Sequence, residues 1–190
     1  MAEVVMVVGP CGAGKSAALG RMRHVLGSRV GEVAVLETDT TYMMIDPTWS
    51  LYNSRYAAIA RRMAARVTAE FVQEGFDWVA IGSNGLQDPS SINDFVAELA
   101  SGIEVHHVFL DPSVTAVQAR IAARAHPLDD HKTPQWLEEN VNWMRSYHDS
   151  WSALIDNSDL DVDETVDAIY ATVRAGAGRI THRLPTPETD

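Results

Sequence analysis

Val4-Val5-Met6-Val7-Val8-Gly9-Pro10-Cys11-Gly12-Ala13-Gly14-Lys15-Ser16 joins an apolar run to a glycine-rich turn. Five apolar residues in succession read as a strand covered on both faces, as in a parallel sheet. The eight that follow fit G-x-x-x-x-G-K-[ST]. Beyond them Leu19, Met22 and Leu26 recur at helical spacing, which predicts a helix over 16–26 with a stop near Gly27. A strand, a glycine-rich turn and a helix in this order are what a triphosphate cradle requires. The glycines let backbone N–H groups turn inward, and the helix N-terminus adds partial positive charge. The chain has only two lysines, Lys15 and Lys132, against thirteen arginines, so a lysine inside this turn is not filler. The pattern places Gly9, Cys11, Gly12, Ala13, Gly14, Lys15, Ser16 and Ala17 around a nucleotide. Lys15 then bridges the β- and γ-phosphates, and the Ser16 hydroxyl is offered to Mg2+. Cys11 is read as a small loop filler.

Working outward, short apolar runs alternate with longer segments of helical period, which predicts an α/β fold of three layers: a parallel five-stranded sheet with helices on both faces. The remaining strands are expected at 33–36, 78–81, 105–110 and 153–155. A loop over 40–51 leads to a long helix over 53–74, stopped by Gly75. Asp88-Pro89 and Asp111-Pro112 read as helix starts, the first helix ending near Gly102 and the second carrying Arg120 and Arg124. Thr133-Pro134 opens a helix to about 150, with Trp136, Val141, Met144 and Tyr147 as its apolar stripe. Asp161 with Glu164 has the form of a capping box for a last helix to about 174. The expected organisation is one domain over 1–174 and a mobile tail over 175–190 rich in Gly, Pro and Thr.

Composition narrows the partners. A formal charge of −11 on 190 residues argues against a protein that lives on nucleic acid or an anionic membrane, since phosphate backbones demand clustered Lys and Arg. With Cys11 as the single cysteine, an internal disulfide framework and a cysteine-rich zinc site are excluded, and a reducing cytoplasm is expected. No segment has the length and apolarity of a membrane span, and residues 1–8 carry no basic leader. His106 and His107 are neighbours in a strand and point to opposite faces, so they cannot share a metal ion; both are read as structural. His126 and His131 read as solvated loop residues. Met43, Trp49 and Tyr52 either stack on a ring-shaped substrate or pack the core.

Asp39, in Leu36-Glu37-Thr38-Asp39-Thr40, closes the second strand at the carboxyl edge of the sheet, where ligands of open α/β folds collect. A carboxylate there accepts the proton of an attacking hydroxyl. With these residues the layout resembles the shikimate kinase, gluconate kinase and chloramphenicol phosphotransferase group, and more loosely the tunicamycin-resistance ATP-binding proteins, over 4–174. The resemblance implies that Asp39 contacts the acceptor hydroxyl and that Glu37, two residues earlier on the same strand face, helps hold Mg2+. It likewise implies an arginine-bearing lid over about 120–133, with Arg120 on the nucleotide and Arg124 on the transferring group. Gly82-Ser83-Asn84-Gly85 looks like the substrate turn of these kinases, and Arg55 lies where shikimate kinases bind an acid. Ser83 and Asn84 are neutral where other P-loop proteins carry a Walker-B Asp, which leaves Glu37 or Asp39 for the metal.

The activity implied is transfer of a phosphoryl group from ATP to a hydroxyl of a sugar, nucleoside, cyclitol or antibiotic, with Mg2+. Two alternatives stand beside it. A nucleoside monophosphate kinase would draw on Arg55, Arg61 and Arg62, whereas a nucleotide-sensing regulatory ATPase would need no acceptor. A GTPase is disfavoured, because Asp156-Asn157-Ser158-Asp159 lacks the lysine of a guanine-reading segment.

Overall fold

The computed structural model describes residues 2–47, 53–124, 129, 131–147, 151–181 and 183–184. Strand β1 (Glu3–Val8) is the centre of a sheet in the order β2-β3-β1-β4-β5, all pairs parallel. The others are β2 (Val33–Glu37), β3 (Trp78–Ser83), β4 (Glu104–Leu110) and β5 (Ala153–Ile155). Every residue from Val4 to Val8 is fully buried, as an unbroken apolar run requires. Val5 and Val7 face α1 (Lys15–Val30) and α7 (Val162–Arg174), where Leu19, Met22, Leu26, Val166 and Ile169 meet them. Val4, Met6 and Val8 face the layer of α3 (Ser54–Gln73) and α4 (Pro89–Ala97), with Ala64, Ala65, Ile92 and Phe95. At about 1.5–3 kcal/mol for each fully buried aliphatic side chain, these two layers are the main favourable term. Chain order reverses around β1: the segment after it crosses to β2, and the segment after β3 crosses to β4. The loops at the carboxyl ends of β1 and β3 therefore diverge and leave a crevice between them.

Several boundaries differ from the sequence expectation, each for a local reason. Helix α1 runs through Gly27, where nothing crowds the backbone, and ends only before Gly31. The first residues of the loop expected over 40–51 belong instead to a short helix, α2 (Thr38–Met43), so Asp39 lies in a first helical turn rather than at a strand end. Strand β3 extends through Gly82 and Ser83, and α4 stops at Ala97, short of Gly102. Asp88 does cap α4, accepting from Ser91 N at 2.9 Å. Asp111 does not cap the next helix, α5 (Val114–Arg124): it accepts instead from Arg145 Nε at 2.6 Å, and Ser113 Oγ accepts from Ala116 N. Helix α6 (Pro134–Arg145) is capped by Thr133 and buries Leu137, Val141 and Met144, with Trp136 and Tyr147 only half-buried. Both halves of the Asp161–Glu164 capping box are formed at α7.

The first part of the tail is docked. β5 pairs only with 108–110 of β4, which leaves the amino half of that strand with an open edge. There His107 N donates to Gly178 O at 2.8 Å and Ile180 N to Val105 O at 2.8 Å, while Leu184 is buried and its backbone is paired on both sides with Asn93. Unpaired edge groups explain why a Gly-rich segment settles there. Residues 185–190 lie outside the described part.

Candidate active site

The crevice is a cavity of about 640 Å³ at the carboxyl edge of the sheet. The chain leaves β1 at Gly9, whose φ is +152° and where a Cβ would come within 2.6 Å of Leu110 O. Only glycine fits so close to β4. Gly14, left-handed at φ 94°, is the N-cap of α1 and brings no side-chain cap, so N–H groups of the first turn remain for a ligand. Cys11, Gly12, Gly14, Lys15, Ser16 and Ala17 line the cavity; Gly9 and Ala13 do not. Ala13 is wholly buried, its N–H bonded to Pro10 O and its carbonyl taken by Asn157 Nδ2 at 2.9 Å. The Cys11 N–H is likewise engaged, by Asn140 Oδ1 of α6 at 2.9 Å. The loop is thus braced by its own helix, by α6 and by the segment after β5.

Lys15 Nζ donates to Gly9 O at 2.8 Å and to Pro10 O at 2.9 Å, folded back over the loop. Burial lowers its pKa to about 8, against the opposing pull of Cys11, Asp39 and Glu37. Across the cavity stand Glu37, the last residue of β2, and Asp39 in the first turn of α2. The two are brought together by a strand-to-helix junction, not by strand alternation. Burial raises the pKa of Asp39, and Glu37 adds to this; Lys15 and a hydrogen bond from Asn84 Nδ2 at 3.2 Å oppose it.

The expected substrate turn separates into parts. Gly82 and Ser83 end β3 and line the cavity with Asn84. Gly82 leaves room for Leu19, whose Cδ1 lies 2.4 Å from where a Cβ would be. Ser83 Oγ accepts from Thr38 Oγ1 at 3.0 Å and Gly85 N at 2.9 Å, tying α2 to β3. Gly85 is not on the cavity wall, but Arg61 Nη1 reaches to 3.8 Å of the point a Cβ on it would occupy. Arg55 is exposed in the first turn of α3 and does not line the cavity. Trp49, Tyr52 and His126 lie outside the described residues.

The two arginines of α5 have different surroundings. Arg120 donates to Asn157 O at 2.5 Å and to Ala13 O at 3.3 Å, which makes it a brace of the loop as well as part of the wall. Arg124 forms a bidentate pair with Asp129, at 2.7 and 2.6 Å, and Lys132 Nζ reaches the same carboxylate at 2.6 Å. Together the two cations hold the Asp129 carboxyl well below the usual carboxylate range. Arg124 and Lys132 both line the cavity. Lys132, Asp129 and Asn157 were not singled out from sequence as site residues. Lys132 was signalled by the same scarcity that marked Lys15. Asn157, whose Oδ1 is buried without a described partner, sits in a stretch weighed only for guanine reading.

A five-stranded parallel sheet in this order, with the glycine-rich loop leaving its central strand, defines a P-loop protein of kinase-like fold. Residues 4–150 match the family model described as AAA domain, and the chain belongs to that family. No curated protein matches the sequence. Among solved structures, the chain is similar to a sugar kinase from Janibacter sp., with a TM-score of 0.66 and 15% identity over 96% of this chain and 100% of that one. A gluconokinase from Sinorhizobium meliloti gives 0.63 and 16%, over 92% and 93%. Shikimate kinase from Acinetobacter baumannii, in complex with shikimate, gives 0.58 and 16%, over 93% and 95%. At such identities the likeness is one of fold. Among the described residues no helix is long and apolar enough to cross a membrane.

Proposed function

We propose that the chain transfers the γ-phosphoryl group of ATP to a hydroxyl of a small molecule. The observation that carries this reading is the convergence of Lys15, Asp39 and Arg124 on one cavity, where burial raises the pKa of the Asp39 carboxyl. Ser16, Glu37 and Asp39 offer only hard oxygen donors, which suit Mg2+; the ion supplies charge neutralisation on the phosphates when bound. The N–H groups after Gly14 hold the phosphates, and Lys15 exchanges its two loop carbonyls for phosphate oxygen. Asp39 orients the acceptor hydroxyl and takes its proton as the oxygen attacks the γ-phosphorus. The bond from that phosphorus to the β–γ bridging oxygen breaks, and ADP leaves. Arg124 and Lys132 stabilise charge on the group in transit. The lid expected over about 120–133 has residues 125–128 and 130 outside the described part, and its described residues Arg120, Arg124 and Lys132 line the cavity; a cytoplasmic setting fits the lone cysteine and the use of ATP. A nucleoside monophosphate acceptor is the alternative, and it would need Arg61, which approaches Gly85, to turn toward the cavity that neither residue lines.

The test is incubation with Mg-ATP and a panel of sugars, nucleosides, cyclitols, antibiotics and nucleoside monophosphates, following ADP and the mass of each acceptor. A gain of one phosphoryl group on one acceptor is expected, lost in Asp39→Asn. ADP release that no acceptor accelerates would overturn the transferase reading in favour of a nucleotide-sensing ATPase.

A further inference from the structure

The opposite edge of the sheet holds a second constellation that phosphoryl transfer does not use. Glu3 opens β1 and Glu104 opens β4, and the parallel register sets them directly side by side. Glu104 and His106 are two residues apart on one strand and so share a face. One carboxylate oxygen from each glutamate and a ring nitrogen of His106 all lie within 4.8 Å of one another.

Each member of this group is an acceptor or is poised to be one. His106 is 1% exposed, and its Nδ1 pairs with the carbonyl of Ala177 at 3.0 Å, which makes Nδ1 the protonated nitrogen. The Nε2 then carries a lone pair, and it is buried with no partner among the described residues. Adjacent His107 provides the contrast: both of its nitrogens are satisfied, by Ser152 Oγ at 2.7 Å and Leu86 O at 2.9 Å. An orphaned imidazole nitrogen loses its hydration without a compensating bond, and like charges facing across neighbouring strands repel. A cation relieves both. The nearby cations do so only in part: Arg174 reaches one Glu3 oxygen at 3.1 Å and Arg179 one Glu104 oxygen at 2.6 Å, and both arginines are about half exposed. Among the described contacts neither guanidinium bonds to the His106 ring, and each carboxylate keeps a second oxygen.

We infer that Glu3, Glu104 and His106 bind a divalent transition-metal ion of the zinc type, which staples the starts of β1 and β4 to the docked tail. One imidazole with two carboxylates suits a borderline metal over Mg2+ or Ca2+, and an imidazole whose other N–H is held by a carbonyl is the usual form of a histidine ligand. Bonds of about 2.0–2.2 Å require the three donors to close by roughly an ångström, with the exposed arginines turning outward. Two structural features favour this edge for a cation. Helix α7 ends here at Arg174, so its terminal carbonyls add negative potential. The tail supplies the carbonyl that fixes the tautomer, so metal and tail bind together.

Metal-free full-length protein titrated with Zn2+, without nucleotide, tests this. The expected result is one ion per chain at micromolar metal, a shift of the His106 Nε2 resonance in the nitrogen spectrum of the histidines, and no displacement by a large excess of Mg2+. His106→Gln and, separately, Glu104→Gln should each weaken zinc by at least about a hundredfold, since even loss of a supporting partner typically costs 10–100-fold. Asp39→Asn should leave the affinity unchanged. If His106→Gln fails to fold, the wild-type spectrum still decides: saturation with zinc that leaves the His106 resonances in place overturns the assignment. So does stoichiometric binding that survives either substitution, or no binding at micromolar metal.

Discussion

The two edges of this sheet use one strand register for opposite purposes. At the carboxyl edge, Lys15, Arg120, Arg124 and Lys132 line a cavity in a chain whose formal charge is −11, so cations are concentrated where an anionic ligand is expected. At the amino edge, Glu3, Glu104 and a half-satisfied His106 gather acceptors. Helix direction accounts for much of the difference. Parallel crossovers put helix N-termini at one edge and C-termini at the other, so the backbone has already assigned each edge its sign. The edges should accordingly fail separately.

The largest effect should come from Lys15→Ala. Removing the one lysine in the cradle is expected to cut acceptor-dependent ADP formation by about a thousandfold or more, in line with other transition-state cations. Zinc binding at the far edge should not change. Asp39→Asn should lower kcat by about 100–10,000-fold with ATP affinity kept, the range for a lost general base. A variant that loses ATP binding as well would mean that Asp39 belongs to the metal and not to the acceptor. Because burial raises the Asp39 pKa, the wild-type rate should fall on the acid side at a higher pH than an ordinary carboxylate dictates. Below that pKa the base is protonated, and this acid limb should vanish from the residual rate of Asp39→Asn.

A smaller effect is expected at Asp129, which neutralises two cavity cations at once. Its carboxyl is held below the usual range, so its stabilisation is fully present above the unfolded pKa of about 4 and is lost as pH falls through the folded value. The difference in Tm between wild type and Asp129→Asn should therefore be largest near neutrality and shrink in acid. ATP affinity should change only a few-fold. Lys15 works in the other direction: its pKa falls to about 8, so the folded protein without nucleotide releases this proton more readily than the unfolded chain. The cost of burying the charge is fully present below pH 8 and is relieved as pH rises toward the unfolded value. ATP requires the charged form, so its affinity should weaken above about pH 8, a dependence that calorimetry should find missing in Lys15→Ala.

How much was legible in sequence follows the same division. The cradle was readable because strand, turn and helix are contiguous and glycine has a stereochemical reason at each step. Asp39 and Glu37 were found, but their geometry was not, because Thr38–Met43 is too short for helical period to show. Lys132 and Asp129 emerge only when α5 and α6 pack, and Arg55 was carried by likeness alone and stands off the wall. The amino edge was opaque for a different reason. Glu3 and Glu104 are about a hundred residues apart, and only strand order makes them neighbours. Sequence makes His106 and His107 look alike, yet the fold pairs both nitrogens of His107 and leaves Nε2 of His106 without a partner among the described residues.

The tail offers the finest test of whether the two edges are independent. Glycines and prolines made 175–190 read as mobile, yet Leu184 is 3% exposed in the cluster with Ile92 and Phe95, and its backbone both donates to and accepts from Asn93. Leu184→Ala should cost about 2–3 kcal/mol in chemical denaturation, the low end for a core leucine, since a terminal segment can relax around the gap. A loss within experimental error would show that the segment is not docked in solution. Docking also supplies the Ala177 carbonyl that orients His106, so the same substitution should weaken zinc several-fold. Phosphoryl transfer should be unchanged, because no described residue of the tail touches the cavity. A drop in kcat with no change in zinc affinity would reverse that assignment and make the tail a support of the carboxyl edge, acting through β4 and the Leu110 carbonyl that Gly9 crowds.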